Sequence, residues 1–244
     1  MDLFFASATG PVRKTNQDAA FASLLPSGVF IASVCDGMGG AAAGDTASNA
    51  AVKVIKERLE NAFSEAPADG FDFYGELRAA LADADDEIRR LVLLNPEFNG
   101  MGTTAVSVIA YGGKAYIANI GDSRCYKLAK KNLERITHDH SYVQLLVDSG
   151  KITEKEAEKH PQKNIITRSI GGMEKAEPDL YSVSTDSILL LCSDGLTNYV
   201  SEKNIAKIIS SKSSAEEAVT KLLAEAIKNG GGDNVTAVVV DFTK

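Results

Sequence analysis

Four aspartates in this sequence stand at the ends of apolar runs that are typical of β-strands. They are Asp36 in VCDGMGG, Asp122 in ANIGDS, Asp194 in LLLCSDG and Asp233 in GGDNVT. Hard cations such as Mg²⁺ and Mn²⁺ prefer carboxylate, carbonyl and water oxygens, and the glycine beside each aspartate lets backbone carbonyls and water approach closely. The pattern indicates a carboxylate site for two such cations, and it disfavours zinc because the chain has only three histidines.

The glycines after Asp36 admit two other interpretations. A single Asp-Gly pair is a common turn dipeptide, so no one pair decides the question. Gly37, Gly39 and Ala42 also fit the G-x-G-x-x-A fingerprint of dinucleotide-binding proteins. That fingerprint requires an acidic residue about 20 positions further on at a strand end, whereas Glu57 lies within a helical pattern. The Asp36 carboxylate would also face the pyrophosphate, which is unfavourable without a cation.

Length and composition predict one domain that spans residues 1–244, with 44% apolar residues to form its core. The net charge is −7, and the richest cluster of basic residues, 127–131, has only three lysines, so nucleic acid is not an expected partner. No run of about 18 apolar residues and no signal peptide occurs, so no membrane association is expected. Cys35, Cys125 and Cys192 are predicted to be buried thiols of a cytoplasmic protein.

The elements that must position these aspartates are strands in runs and helices in pairs. The predicted strands share β-branched, apolar sequences: Phe30 to Cys35, Thr103 to Tyr111, Ala115 to Ile120, Ile188 to Cys192 and Val235 to Phe242. Two helical patterns lie between residues 47 and 91, and two more lie between 205 and 227. Short turns between strands favour antiparallel pairing, so the sequence predicts an α+β fold with a β-sandwich. A polar, helical insertion spans Ser141 to Asn164.

Eight segments, in this order, match a known family. They are RKTNQD (13–18), VCDGMGG (34–40), MGTTA (101–105), ANIGDSR (118–124), THDHS (137–141), NIITRSIGG (164–172), LLLCSDGL (189–196) and GGDNVT (231–236). The chain resembles the metal-dependent Ser/Thr protein phosphatases of the 2C type, in their compact bacterial form. The resemblance implies two antiparallel sheets packed as a sandwich with helix pairs outside, in α-β-β-α layers.

The resemblance also implies which residues bind two Mn²⁺ or Mg²⁺ ions. Asp36 would bridge the two ions, the Gly37 carbonyl would bind the first ion, and Asp194 and Asp233 would bind the second. Asp18 would act mainly through metal-bound water. Bacterial relatives often hold a third, weaker ion, and Asp122 and Asp194 match its ligands.

In this interpretation the nucleophile is a water activated by two metal ions, which explains why no activated serine or cysteine is recognisable. Arg13 matches the phosphate-binding arginine of the family, so the predicted catalytic set is Arg13, Asp36, Asp194 and Asp233. Met38 departs from animal relatives, which place a candidate general acid there.

The resemblance implies phosphoprotein substrates, which are either the targets of a bacterial Ser/Thr kinase and the kinase itself, or a protein of an anti-sigma pathway. A monomer is the default expectation. The insertion at 141–164 matches the flap beside the active site of bacterial members, where loops set substrate choice. A competing hypothesis is a binding module that keeps this fold without catalysis, although the aspartates and Arg13 are all present.

Overall fold

The computed structural model describes residues 1–39 and 43–244. Gly40, the last residue of the VCDGMGG motif, and Ala42, the last position of the dinucleotide fingerprint, lie outside the described residues. The described strands form two sheets in which every pair is antiparallel. The parallel βαβ unit that the dinucleotide interpretation requires is therefore absent from this part of the chain.

Five strands form the first sheet. In spatial order they are β1 (Asp2–Ala8), β11 (Val235–Asp241), β10 (Ile188–Cys192), β7 (Arg124–Ala129) and β8 (Asn132–Arg135). The second sheet contains, in spatial order, β2 (Asp18–Leu24), β3 (Phe30–Met38), β5 (Ala105–Tyr111), β6 (Lys114–Ile120) and β9 (Asp179–Ser184). A short strand, β4 (Gly102–Thr103), pairs with the end of β3.

Helices cover the outer face of each sheet. The long helices are α1 (Ala43–Ala62), α2 (Phe73–Leu94), α6 (Glu202–Ser210) and α7 (Ala215–Lys228). The first two pack against the second sheet, and the last two pack against the first. None of the described helices combines the length and the apolar character that a membrane span requires.

Three apolar clusters lie between the four layers, one between the sheets and one beneath each helix pair. Strand β3 contributes side chains to two of these clusters. Phe30, Ala32 and Val34 point between the sheets, while Ile31 and Cys35 point toward α1 and α2. Both faces are buried, so the strand reads as a continuous apolar run. The predicted α+β sandwich with flanking helix pairs is confirmed.

The strand boundaries differ from the expectation in one instructive place. The sequence predicted a single strand from Thr103 to Tyr111, but β4 ends at Thr103 and β5 begins at Ala105. Between them, the Thr104 amide donates to the Asp36 carbonyl at 2.9 Å, and the Asp36 amide donates to Thr104 Oγ1 at 3.0 Å. The interruption fixes the backbone at Asp36.

The flap lies between β8 and β9 and contains two short helices, α3 (Tyr142–Asp148) and α4 (Glu154–Ala157). Backbone hydrogen bonds close its base, from the Tyr142 amide to the Ile165 carbonyl at 2.8 Å and from the Thr167 amide to the His140 carbonyl at 2.8 Å. The predicted helical insertion therefore starts and ends at adjacent positions on the sandwich.

Candidate metal centre

The four strand-end aspartates line one cavity of about 480 Å³ at one end of the sandwich. Asp36 lies near the end of β3, Asp122 lies in the turn between β6 and β7, Asp194 begins the short helix α5 (Asp194–Thr197) after β10, and Asp233 precedes β11. Long stretches of sequence separate each aspartate from the next. The two sheets therefore bring together the carboxylates that the sequence placed at separate strand ends.

Two glycines allow close packing at this end of the sandwich, one where β3 meets the start of α1 and one where α5 meets the segment before β11. A Cβ atom on Gly37 would lie 2.0 Å from the Gly44 carbonyl oxygen, and one on Gly195 would lie 1.8 Å from the Asn234 carbonyl oxygen. No real Cβ contact is this short, so a side chain at either position would push the neighbouring backbone away. Glycine at 195 is what lets the segment of Asp194 pack directly against the segment of Asp233.

Asp18 lies beneath the cavity and is buried. Its Cα is paired in register with that of Asp36 across β2 and β3. Its Oδ2 atom accepts hydrogen bonds from Ser193 Oγ at 2.7 Å and Thr236 Oγ1 at 2.6 Å, whereas Oδ1 has no partner among the described residues. Burial is the main cause that raises the pKa of Asp18 to about 7.

Within the described part of the chain, Asp194 also has one carboxylate oxygen with a hydrogen-bond partner and one without. Its Oδ2 atom accepts a hydrogen bond from Asn198 Nδ2 at 2.9 Å, and its Oδ1 atom has no partner among the described residues. Burial, followed by the charge of Asp233, raises the pKa of Asp194. Burial and the neighbouring Asp18 and Asp194 carboxylates raise the pKa of Asp36 well above its usual range.

The chemistry of these donors fits divalent cations. Buried carboxylates that repel one another are costly unless a positive charge compensates them, and the orphaned oxygens of Asp18 and Asp194 are free to bind a cation or its water. Within residues 1–39 and 43–244, no three His, Cys, Asp or Glu side chains converge as a ligand cage. Mg²⁺ keeps several water ligands and needs only one or two carboxylates, so this arrangement suits hydrated ions rather than zinc.

Arg13 lines the same cavity and is half-exposed. Its Nη2 atom donates to Asp233 Oδ2 at 2.9 Å. The predicted phosphate-binding group is therefore at the site, paired with one of the predicted metal ligands.

Asp122 forms part of the wall between this cavity and a larger one of about 800 Å³ beneath the flap. It is buried, and burial followed by the charge of Asp194 raises its pKa well above the usual range. The carboxylates of Asp122 and Asp194 are thus close enough to repel each other at the border of both cavities.

The histidines near the flap make contacts that hold the structure together. His140 Nδ1 accepts a hydrogen bond from the Gly121 amide at 3.2 Å, and its Nε2 atom lies 3.1 Å from Asp179 Oδ2. Asp139 forms an ion pair with Arg124 at 2.6 Å. These residues tie the base of the flap to both sheets.

Sequence reasoning missed the polar residues that support the aspartates. Ser193 and Thr236 bind Asp18, and Asn198 binds Asp194. Asn234 holds the Arg13 loop, because its Nδ2 atom donates to the Thr15 carbonyl at 3.0 Å. Each follows or precedes a singled-out aspartate closely in sequence, but only the fold shows which carboxylate or loop it contacts.

Comparison with known proteins agrees with this geometry. The family model for protein phosphatase 2C matches residues 12–229. The serine/threonine phosphatase stp of Listeria monocytogenes is 36% identical over 239 residues, which cover 97% of this chain and 94% of that protein.

Two similar solved structures extend the comparison. The serine/threonine phosphatase Stp1 from Staphylococcus aureus is 35% identical, with a TM-score of 0.91 and coverage of 98% of this chain and 94% of that one. The catalytic domain of the serine/threonine protein phosphatase PstP, in complex with two manganese ions, is 33% identical, with a TM-score of 0.84 and coverage of 98% of each chain. The match over nearly the whole length, together with the cavity of strand-end aspartates, shows that this chain belongs to the protein phosphatase 2C family.

Proposed function

We propose that this chain hydrolyses phosphoserine and phosphothreonine in proteins, with two Mn²⁺ or Mg²⁺ ions held in the carboxylate cavity. The observation that carries the proposal is the meeting of four strand-end aspartates with Arg13 in that cavity. The 2C-type family and the relatives named as serine/threonine phosphatases support the same activity. The manganese-bound PstP structure supports the choice of metal.

We assign the metal ligands as follows. Asp36 would bind both ions, because it lines the cavity and the charges of Asp18 and Asp194 both act on its carboxylate to raise its pKa. The Gly37 carbonyl would be a further ligand of the first ion, and Asp194 and Asp233 would bind the second ion. Asp18 would act through water from its unpartnered Oδ1 atom. When bound, the ions supply Lewis acidity, which lowers the pKa of water and offsets phosphate charge.

A third, weaker ion would involve Asp122 and Asp194. Their carboxylates repel each other at the border of the two cavities. A cation between them would relieve that repulsion.

Arg13 binds the substrate phosphate in this proposal. Its guanidinium donates to Asp233 Oδ2, and a phosphate dianion in the cavity offers competing acceptor oxygens. The planar fork can donate to two of these oxygens at once, which fixes the orientation of the phosphorus atom. Arg13, Asp36, Asp194 and Asp233 therefore form the proposed catalytic set.

Solvent supplies the proton to the leaving alkoxide in this proposal. Met38 lines the cavity where animal relatives carry the candidate acid, and a thioether has no acidic proton. At this step the residues of the chain then orient the phosphate and supply charge, and they do not supply the proton.

We further propose that residues 1–244 act as a single domain, as a cytoplasmic monomer, on targets of a bacterial Ser/Thr kinase and on the kinase itself. The similar bacterial Ser/Thr phosphatases support the kinase link. The three buried free cysteines support a reducing compartment.

The test is phosphate release from a phosphothreonine peptide by the wild type and Asp36→Asn, each with Mn²⁺ and with EDTA. We expect turnover only by the wild type with Mn²⁺. Mn²⁺ titration calorimetry of both proteins separates a lost metal site from a lost chemical step. Turnover that survives both EDTA and Asp36→Asn would refute the mechanism, and an absence of both turnover and Mn²⁺ binding in a folded wild type would favour the binding module.

A further inference from the structure

A second charged surface neighbours the cavity beneath the flap, with which it shares Glu202. A groove of about 920 Å³ runs between the β7–β8 hairpin and α6, and we call it the lysine groove. Lys131, Lys203 and Lys207 line it together with the polar side chains of Asn132, Asn204 and Ser210. This volume is in the range of cavities that hold ligands.

The lysines of the groove differ from those on the other long helices. Lys203 and Lys207 lie one turn apart on α6, and neither they nor Lys131 has a carboxylate within ion-pair distance among the described residues. By contrast, Lys53 pairs with Glu57 on α1, and Lys221 pairs with Glu225 on α7. The three lysines therefore outnumber Glu202, the one carboxylate within residues 1–39 and 43–244 that lines the groove, in a chain whose net charge is −7.

The hairpin that presents Lys131 is strained. Lys130 and Lys131 form its two-residue turn, with φ angles of 48° and 71°. A turn with positive φ at both positions favours Asn-Gly, Asp-Gly or Gly-Gly, because a Cβ atom is disfavoured there. Two lysines at these positions cost stability, which points to a role for the charge.

The lysine groove neighbours the cavity beneath the flap, which in turn neighbours the carboxylate cavity. Glu202 lines both the groove and the 800 Å³ cavity beneath the flap. Asn164 and Asp194 line both that cavity and the carboxylate cavity. These shared lining residues define the path beneath the flap that we assign to a substrate segment whose phosphorylated residue lies at the aspartates.

We propose that the lysine groove binds an acidic segment of the phosphoprotein substrate, on one side of the phosphorylated residue. This inference rests on the proposed phosphatase activity of the carboxylate cavity. Carboxylates of the segment would pair with Lys131, Lys203 and Lys207, and the amides and hydroxyls of the groove would complete their hydrogen bonds. No aromatic side chain lines the groove in the described part of the chain, so it lacks the stacking platform of single-stranded nucleic-acid sites.

The test uses three phosphothreonine peptides. Two carry four glutamates, either about six residues before or about six residues after the phosphothreonine, and the third carries glutamines instead of glutamates. The enzymes are the wild type and a double variant, Lys203→Gln with Lys207→Gln. We expect the wild type to show a lower KM for one of the two acidic peptides. In the variant this KM rises about threefold to tenfold, as expected for two exposed ion pairs, and kcat is unchanged. The preference should also shrink at about 0.5 M NaCl.

The matched control is Lys53→Gln with Lys56→Gln on α1, which changes the net charge equally on the other face of the molecule. It should retain the preference, and p-nitrophenyl phosphate should be hydrolysed equally by all three proteins. Equal KM values for all peptides in the wild type, or a preference that survives in the groove variant, would overturn the inference alone. Inhibition of the wild type by a short single-stranded DNA at concentrations below those of the acidic peptide would also overturn it. If no peptide and no p-nitrophenyl phosphate is hydrolysed, the proposed activity itself fails.

Discussion

The carboxylate cavity and the flap beside it are built in opposite ways. In the cavity, Asp18 and Asp194 each keep an oxygen without a partner, and burial raises the pKa of both carboxyls. In the flap, the helices begin at capped residues, with Ser141 Oγ accepting from the Gln144 amide and Thr153 and Glu156 forming a capping box. The flap satisfies its polar groups from within, whereas the cavity leaves carboxylates unsatisfied.

This difference separates the part of the molecule that performs chemistry from the part that can vary. Strand ends held by the sandwich keep like charges together, which is unfavourable until a cation binds. The flap is joined to the sandwich at its base and by Lys163 Nζ, which donates to Asn198 Oδ1 at 3.0 Å. Away from these contacts its surface can change without moving the aspartates. We therefore expect the same type of substitution, such as Asp to Asn or Gly to Ala, to change stability and turnover differently in the cavity and in the flap.

The largest expected effect is from Asp194→Asn, compared with Asp148→Asn in the flap. Loss of the Asp194 charge should lower turnover about a thousandfold, because a proposed ligand is removed from the second ion, and that ion would offset charge in the transition state. The same change should raise the melting temperature of the metal-free protein, because it relieves repulsion with Asp233. Mn²⁺ should raise the melting temperature of the wild type more than that of the variant.

Asp148→Asn should act in the other direction. Hydrogen bonds from Gln144 and His138 hold the pKa of Asp148 below its usual range, so the charged form is stabilising there. The variant should melt slightly lower with unchanged turnover. Melting curves in EDTA and phosphate-release assays measure both proteins, and a lower metal-free melting temperature for Asp194→Asn would contradict the account of the cavity.

The next largest effect is the steric cost of adding a Cβ atom at a glycine. It compares Gly195→Ala beside the cavity with Gly150→Ala in the flap. The new methyl group at 195 would collide with the Asn234 carbonyl, so we expect a loss of about 3 kcal/mol or more in the free energy of unfolding, together with loss of turnover. Gly150 has a φ of 68°, but a Cβ atom there would meet no atom within 4 Å, so the cost should be about 1 kcal/mol, with turnover retained. Urea unfolding of the two variants provides the measurement, and equal losses would contradict the predicted crowding.

A smaller effect is expected at the strained hairpin. Lys130→Asn with Lys131→Gly should stabilise the protein by about 1 kcal/mol, because the new residues tolerate positive φ. The same variant should lose part of the preference for acidic peptides, since Lys131 lines the lysine groove. Thermal unfolding and peptide KM values report the two changes, and a destabilised variant would show that the lysines are not strained.

The smallest effect is the pH dependence contributed by His140 at the base of the flap. Burial lowers its pKa, although Asp179 opposes this shift, while Arg168 and His138 add to it. The folded state therefore binds a proton less readily than the unfolded state. The contribution of His140 to stability is complete above pH 6.5, the ordinary value, and is lost as the pH falls below it.

Urea unfolding in EDTA at pH 7.5 and 5.5, for the wild type and His140→Asn, measures this contribution. The wild type should lose more free energy of unfolding between the two pH values, by less than about 1.4 kcal/mol per pH unit. An equal loss in both proteins would assign the pH dependence to other groups.

The sequence predicted the sandwich well because most of its central strands are unambiguous, although the inner strand β7, which carries Arg124 and Lys127, was not predicted. Ile188–Cys192 and the strand from Val235 are buried on both faces, so their apolar runs leave no other interpretation. Edge strands such as β1 and β8 are shorter or more polar, and they escaped notice because an edge strand needs only one apolar face.

At the site, residue type and spacing predicted the aspartates but not the polar residues that form hydrogen bonds with them. Asp194 and Asp233 could be singled out because each stands between a strand and glycine. That Thr236 binds Asp18, 218 residues away, depends on the packing of two sheets, which no local pattern encodes. Similarly, Lys131 in the basic cluster at 127–131 gained significance only when the fold placed α6 beside it.

The most direct test of the metal assignment is a crystal structure of the wild type grown with Mn²⁺, with anomalous scattering recorded to locate the ions. We predict two strong anomalous peaks in the carboxylate cavity, both contacted by Asp36, with the second also contacted by Asp194 and Asp233, and a third, weaker peak near Asp122 and Asp194. Peaks elsewhere, or a cavity in which Arg13 remains paired with Asp233 and no ion is bound, would contradict the assignment.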